Sequence, residues 1–146
     1  MPSTFLSLHY HLIFSTKERM PLIRDPARVH AYLGGVLKHL DGTPLEIGGV
    51  KDHVHVLVGL KATHRLADVL RTIKGESSRW IHEELGERKF GWQDGYAAFT
   101  VSRSLVGTVR RYIQRQEEHH RKRSFLDELR ELLAKHEIEF DDRYLV

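Results

Sequence analysis

The chain has 146 residues, 40% of them hydrophobic, with 23 Lys and Arg against 20 Asp and Glu and a formal net charge of +3. That length suits one domain, and the apolar content is enough for a buried core and argues against an intrinsically disordered chain. Cys is absent, which excludes disulfides, thiolate metal sites and cysteine nucleophiles. No apolar run reaches the roughly 18 residues of a membrane span, and residues 1–16 lack a basic stretch before an apolar block. A cytoplasmic protein with no membrane partner is expected.

Residues 5–15 alternate with period two, Leu8, Tyr10, Leu12 and Phe14 on one side and His9, His11, Ile13 and Ser15 on the other, which predicts a strand. Asp25-Pro26 then supplies a cap and a first-turn proline for a helix through Leu40, closed by Gly42. Residues 45–50 and 53–60 read as two strands joined tightly near Lys51-Asp52. Leu66, Val69, Leu70, Ile73 and Trp80 have helical spacing over residues 64–85, with a stop at Gly86. Residues 96–101 read as a fourth strand, Ser104 as the cap of a helix to about His120, and Ser124 with Asp127 as the start of a last helix to about His136.

This order predicts an α+β fold: a ferredoxin-like βαββαβ core over residues 1–103, then two added helices over 104–146, in a single domain. The first and third strands are expected to be central, parallel neighbours. Val54, Val56, Val58 and Leu60 form the natural core face of the third strand. His53 and His55 then point to the opposite face together with His9 and His11, on an otherwise open sheet that the third helix is available to cover.

His53 and His55, two residues apart on a strand, are spaced to converge on one metal ion, although two hydrogen-bonded surface histidines would give the same pattern. Tyr112 and Gln116 share a face of the third helix, either as members of an apolar stripe or as a nucleophilic phenol and an amide ligand. Residues 104–124 carry six Lys and Arg against two Glu, and the remainder carries seven acids against three bases. A basic segment followed by an acidic tail suits polyanion binding near Tyr112. The acidic last helix has no chemistry assigned by this reading, and beyond the His pair no carboxylate-plus-His ligand set is evident.

Five ordered motifs resemble those of the small single-tyrosine transposases of the HUH superfamily, including the REP-associated tyrosine transposases. They are Tyr10-His11-Leu12-Ile13-Phe14 with Thr16-Lys17-Glu18-Arg19; Asp52-His53-Val54-His55; Lys74-Gly75-Glu76-Ser77-Ser78; Trp92-Gln93-Asp94-Gly95-Tyr96; and Tyr112-Ile113-Gln114-Arg115-Gln116. The resemblance implies a DNA transposase that cleaves and rejoins single-stranded DNA at hairpin-containing ends through a 5′-phosphotyrosine on Tyr112. It implies His53, His55 and Gln116 as ligands of Mg²⁺ or Mn²⁺, with no nucleotide cofactor. His120, four residues beyond Gln116, is a further ligand candidate, and His11 stands beside the His pair rather than on the metal. The implied partners are single-stranded hairpin DNA and a second subunit, with the active site in cis or in trans. Lys74, Arg79, Arg110, Arg111, Arg115 and Lys122 are candidate phosphate contacts, and Trp92 or Tyr96 a candidate base-stacking residue. A domain of the same fold that binds hairpin DNA or RNA without cleaving it is the alternative.

Overall fold

Alternation in two central strands generates the layered structure. The computed structural model describes residues 3–145; Met1, Pro2 and Val146, the outermost residues of the expected single domain and the start of the stretch read for a leader, lie outside them. In chain order the elements are β1 (His9–Ser15), α1 (Pro26–His39), β2 (Thr43–Gly49), β3 (His53–Gly59), α2 (Leu66–Glu84), β4 (Ala97–Val101), α3 (Val106–Gln114), α4 (Gln116–His119) and α5 (Phe125–Lys135). The strands form one sheet in the order β2-β3-β1-β4. This is the expected α+β, ferredoxin-like arrangement.

Every neighbouring pair in that sheet is antiparallel, including β1 with β3, where Ile13 faces His55 and Ser15 faces His53. The expected parallel pairing of these two strands is therefore corrected. The α1 crossover sets β2 parallel to β1, and the tight β2–β3 hairpin then reverses the chain, so β3 must return antiparallel to β1.

One sheet face carries Leu12, Phe14, Val54, Val56 and Val58, packed against Val29, Leu33 and Leu37 of α1 and Val69, Leu70, Ile73 and Ile81 of α2. Helix α1 starts where the Asp25 side chain accepts from the Arg28 N–H, with Pro26 at its first position. The other face is not left open. Leu57 and Val101 pack on Val106 and Ile113 of α3, while Ile13 and Phe99 pack on Phe125, Leu129 and Leu133 of α5. Among the described residues, no helix is long and apolar enough to cross a membrane.

The segment expected as one helix from Ser104 to about His120 is broken. Ser104 sits inside a short 3-10 turn (Arg103–Leu105) instead of capping, and Arg115 has φ −100° and ψ 15° between α3 and α4. Helix α5 begins as expected, its Ser124 hydroxyl accepting from the Asp127 N–H at 3.2 Å.

Helix α3 rests directly on β2 at Gly48, where an added Cβ would lie 2.6 Å from the Ile113 carbonyl oxygen. Only a residue without a side chain permits that approach. Gly48→Ala is expected to cost about 1–3 kcal/mol by overpacking and to lift α3 from the sheet. Thermal denaturation with and without the substitution checks this; an unchanged melting temperature contradicts it.

Candidate active site

Strand pairing, rather than proximity in sequence, builds the site. Because Ile13 faces His55 and His11 faces Leu57, the His11 and His55 side chains are diagonal neighbours on one sheet face. Their rings stack with centroids 5.0 Å apart, and His11 Nε2 lies 2.7 Å from His55 Nδ1. One strand position pair away, His53 Nδ1 lies 2.7 Å from the Asp52 carboxylate. In each of the two β3 histidines Nδ1 is thus engaged, and Nε2 points to a common centre. Such partners fix the tautomer and ring orientation of metal-binding imidazoles.

That centre is approached by three further groups. His53 Nε2 is 3.0 Å from Gln116 Oε1, and His120 Nε2 is 2.9 Å from the same oxygen. Glu128, from α5, places Oε1 3.0 Å from His55 Nε2, 3.1 Å from His120 Nε2 and 3.4 Å from His53 Nε2. Donor atoms of His53, His55, His120 and Glu128 all lie within 4.8 Å of one another, a grouping able to hold a metal ion. His53, His55, Gln116 and Glu128 are all buried.

Tyr112 reaches the same cluster. Its hydroxyl donates to Glu128 Oε2, the oxygen that also accepts from Gln116 Nε2 at 2.9 Å. Its ring centroid is 5.7 Å from that of His55 and 6.2 Å from that of His11. Tyr112 and Gln116 therefore share a direction across the Arg115 break, and both belong to the same chain as the histidines they approach.

Burial and the Glu128 carboxylate set the charge states. Burial pushes the Tyr112 phenol up and Glu128 adds to the effect, so the hydroxyl stays protonated. Burial opposes ionisation of Glu128 too, but hydrogen bonds from His120, His53 and His55 hold it well below the usual carboxylate range. Burial alone would lower His53, yet Asp52 and Glu128 outweigh it and raise this imidazole to about 9. His55 goes the other way, pulled down to about 4 chiefly by burial, and burial also lowers His11. His53 thus meets the carboxylate as an imidazolium.

These opposed shifts predict the pH profile of metal-free stability. His55 and the half-buried His30, also lowered to about 4 by its partial burial, are neutral when folded, so their contribution is present above pH 6.5 and lost as pH falls toward 4. His53 is protonated when folded, so its contribution is present below pH 6.5 and lost as pH rises through 9. Stability without metal should peak near pH 6.5, with a slope of about 1.4 kcal/mol per pH unit for each proton in play. Urea titrations across pH 4–9 in a chelator check this; a plateau extending to pH 9 contradicts the His53 assignment.

The candidate DNA contacts divide. Arg111, Arg115 and Lys122, with Arg123, line a cleft of about 710 Å³ together with Tyr112 and His119. Arg110 lies outside it, 3.9 Å from Glu46 on β2. Lys74 and Arg79 belong to α2, which packs on the sheet face away from the histidines. Lys74 Nζ donates to the Gln93 and Gly95 carbonyls at 2.8 and 2.7 Å, and Arg79 pairs with Glu76 and Glu83. Trp92 is committed to packing: its ring meets Phe14 and Phe90, and its N–H donates to Ser77 at 2.9 Å. Tyr96 is exposed. His9, at the far end of β1 opposite Gly59, does not join the cluster. His119 does, with its ring centroid 5.7 Å from Tyr112.

Sequence reasoning missed Glu128. The reading that no carboxylate accompanies the histidines is corrected by it, and the acidic helix acquires a place in the site. A signal was available: Phe125, Glu128, Leu129 and Leu132 share one stripe of α5, which puts a single acid on the buried face.

Residues 4–116 match the family described as Transposase IS200 like. The chain belongs to this transposase family. It is 28% identical over 123 residues to the ISDra2 transposase TnpA of Deinococcus radiodurans, covering 75% of this chain and 84% of that relative. Among solved structures it is similar to a candidate transposase from the same organism, with a TM-score of 0.64, 23% identity, and coverage of 80% of this chain and 96% of that one. It is also similar in fold to a REP-associated tyrosine transposase bound to a REP hairpin, with a TM-score of 0.58, 12% identity, and coverage of 82% and 74%. The family assignment makes the chain a DNA transposase whose fold and His-rich cluster are compatible with a divalent metal.

Proposed function

We propose that this transposase cleaves and rejoins single-stranded DNA at hairpin-bearing element ends through a 5′-phosphotyrosine on Tyr112. The observation that carries the reading is the convergence of Tyr112, His53 and His55 on one carboxylate inside a single chain. Nucleophile and candidate ligands are thereby held within the span of one carboxyl group, the proximity that a positioned nucleophilic attack requires.

His53, His55 and Gln116 would hold the divalent ion, Mg²⁺ or Mn²⁺, with His120 at hand as a further ligand. Bound there, the ion would polarise the scissile phosphate and offset charge in the transition state. Asp52 and His11 keep both Nε2 atoms turned inward. Arg111, Arg115 and Lys122 offer phosphate contacts along the cleft that leads to the phenol. Attack by the Tyr112 oxygen on phosphorus forms the phosphotyrosine and releases a 3′-hydroxyl. The bond energy is retained in the ester, so rejoining needs no nucleotide. We take the working unit to be a homodimer with each site assembled in cis, since Tyr112 already lies beside the His pair of its own chain.

The test is incubation with end-labelled hairpin DNA, single-stranded or fully duplex, with Mg²⁺, Mn²⁺ or chelator. The expected result is a denaturation-resistant adduct and a free 3′-hydroxyl fragment, formed only from the single strand and only with the cation. Tight hairpin binding with no adduct under any condition contradicts the proposal and favours binding without cleavage.

A further inference from the structure

We infer that Glu128 is itself a ligand of the cation, supplied by a helix that lies beyond the residues matched to the family. The inference rests on the metal-dependent reading above and adds to it a residue outside residues 4–116.

Glu128 is positioned as a ligand would be. Its Oε1 lies 3.0, 3.1 and 3.4 Å from the Nε2 atoms of His55, His120 and His53. Neighbouring donors around an octahedral ion with bonds of about 2.1 Å are separated by about 3 Å, so these spacings suit donors sharing one ion. The other oxygen is occupied: Tyr112 and Gln116 both donate to Oε2, which fixes the carboxylate plane and leaves Oε1 turned to the histidines.

Helix α5 is anchored in the way such precision requires. Phe125, Leu129 and Leu133 dock on Ile13 and Phe99, the Phe125 ring stands 4.5 Å from that of His53, and Ser124 caps the first turn. The burial of Glu128 points the same way. Its side chain is 2% exposed, and among the described residues its partners within ion-pair distance are histidines alone, with no Lys or Arg. Imidazoles that bind a metal do so as neutral bases, so in the loaded site the ion is the positive charge that balances this buried carboxylate. An anionic oxygen beside imidazoles and an amide tightens the site for Mn²⁺, an ion that accepts both donor types.

Mn²⁺ titration of the full chain without DNA, with free ion followed by electron paramagnetic resonance, tests the assignment. Wild type should bind an ion that His53→Ala loses. The isosteric Glu128→Gln should weaken binding at least about tenfold, and Glu128→Asp, which keeps the charge, should fall between the two. Melting curves of the metal-free variants establish that each is folded. If Glu128→Gln does not fold, the infrared carboxylate bands of wild type serve instead: a Mn²⁺-induced shift absent from His53→Ala supports the ligand, and unshifted bands overturn it. His53-dependent binding that Glu128→Gln leaves unchanged overturns this inference while the metal reading stands. Wild type that binds no Mn²⁺, or binds it independently of His53, overturns both.

Discussion

Tyr112→Phe is expected to lower DNA cleavage by about 10⁴-fold or more and to abolish the covalent adduct. The substitution removes one oxygen. The ring keeps its edge contacts with His11, His55 and His119, so the fold and the basic cleft should persist. Hairpin affinity, measured by filter binding, should therefore stay within a few-fold of wild type. Cleavage at the wild-type rate would mean that another group attacks the phosphate. Loss of DNA binding along with cleavage would mean that the tyrosine serves mainly to hold the helix. The cis arrangement adds a second readout: mixing Tyr112→Phe with His53→Ala chains should restore no activity, whereas recovery would place the tyrosine in its partner's site.

The second large effect is expected from His53→Ala. It removes the Nε2 donor at the centre of the cluster and an imidazolium facing Glu128. Cation-dependent cleavage should fall below detection. Metal-free stability near pH 6.5 should also fall, by about 3 kcal/mol, because a buried carboxylate loses its charged partner. Combining His53→Ala with Glu128→Gln should recover most of that stability and none of the activity, since the unpaired charge is then gone. Denaturant titration and the cleavage assay read the two effects separately. A double variant no more stable than His53→Ala would show that the His53–Glu128 pair contributes little.

Much of this arrangement was legible because it depends on short periods. Alternation on β1 and β3 put His11, His53 and His55 on one face and the valines on the other, and the register agrees. The spacing of Tyr112 and Gln116 gave them a common side even though the helix breaks at Arg115 between them. Strand direction was harder, since it follows from the handedness and number of connections rather than from any local pattern. The phosphate contacts were least legible: Lys74 and Trp92 are polar or aromatic side chains that the loop at Gln93–Gly95 and the Phe14–Phe90 core claim for packing. Glu128 was obscured by composition. In a tail of seven acids it resembles a solvated charge, and only its place in the stripe of Phe125 and Leu129 distinguishes it.

The central claim is that Tyr112 carries the DNA strand during transposition, and peptide mapping of the adduct tests it most directly. Protein reacted with single-stranded hairpin DNA and Mn²⁺ is digested with nuclease and trypsin and sequenced by mass spectrometry. The peptide Tyr112-Ile113-Gln114-Arg115 should carry a 5′-linked nucleotide on its tyrosine. A nucleotide on Tyr96 or Tyr144, or cleaved DNA with no modified peptide at all, would contradict the account.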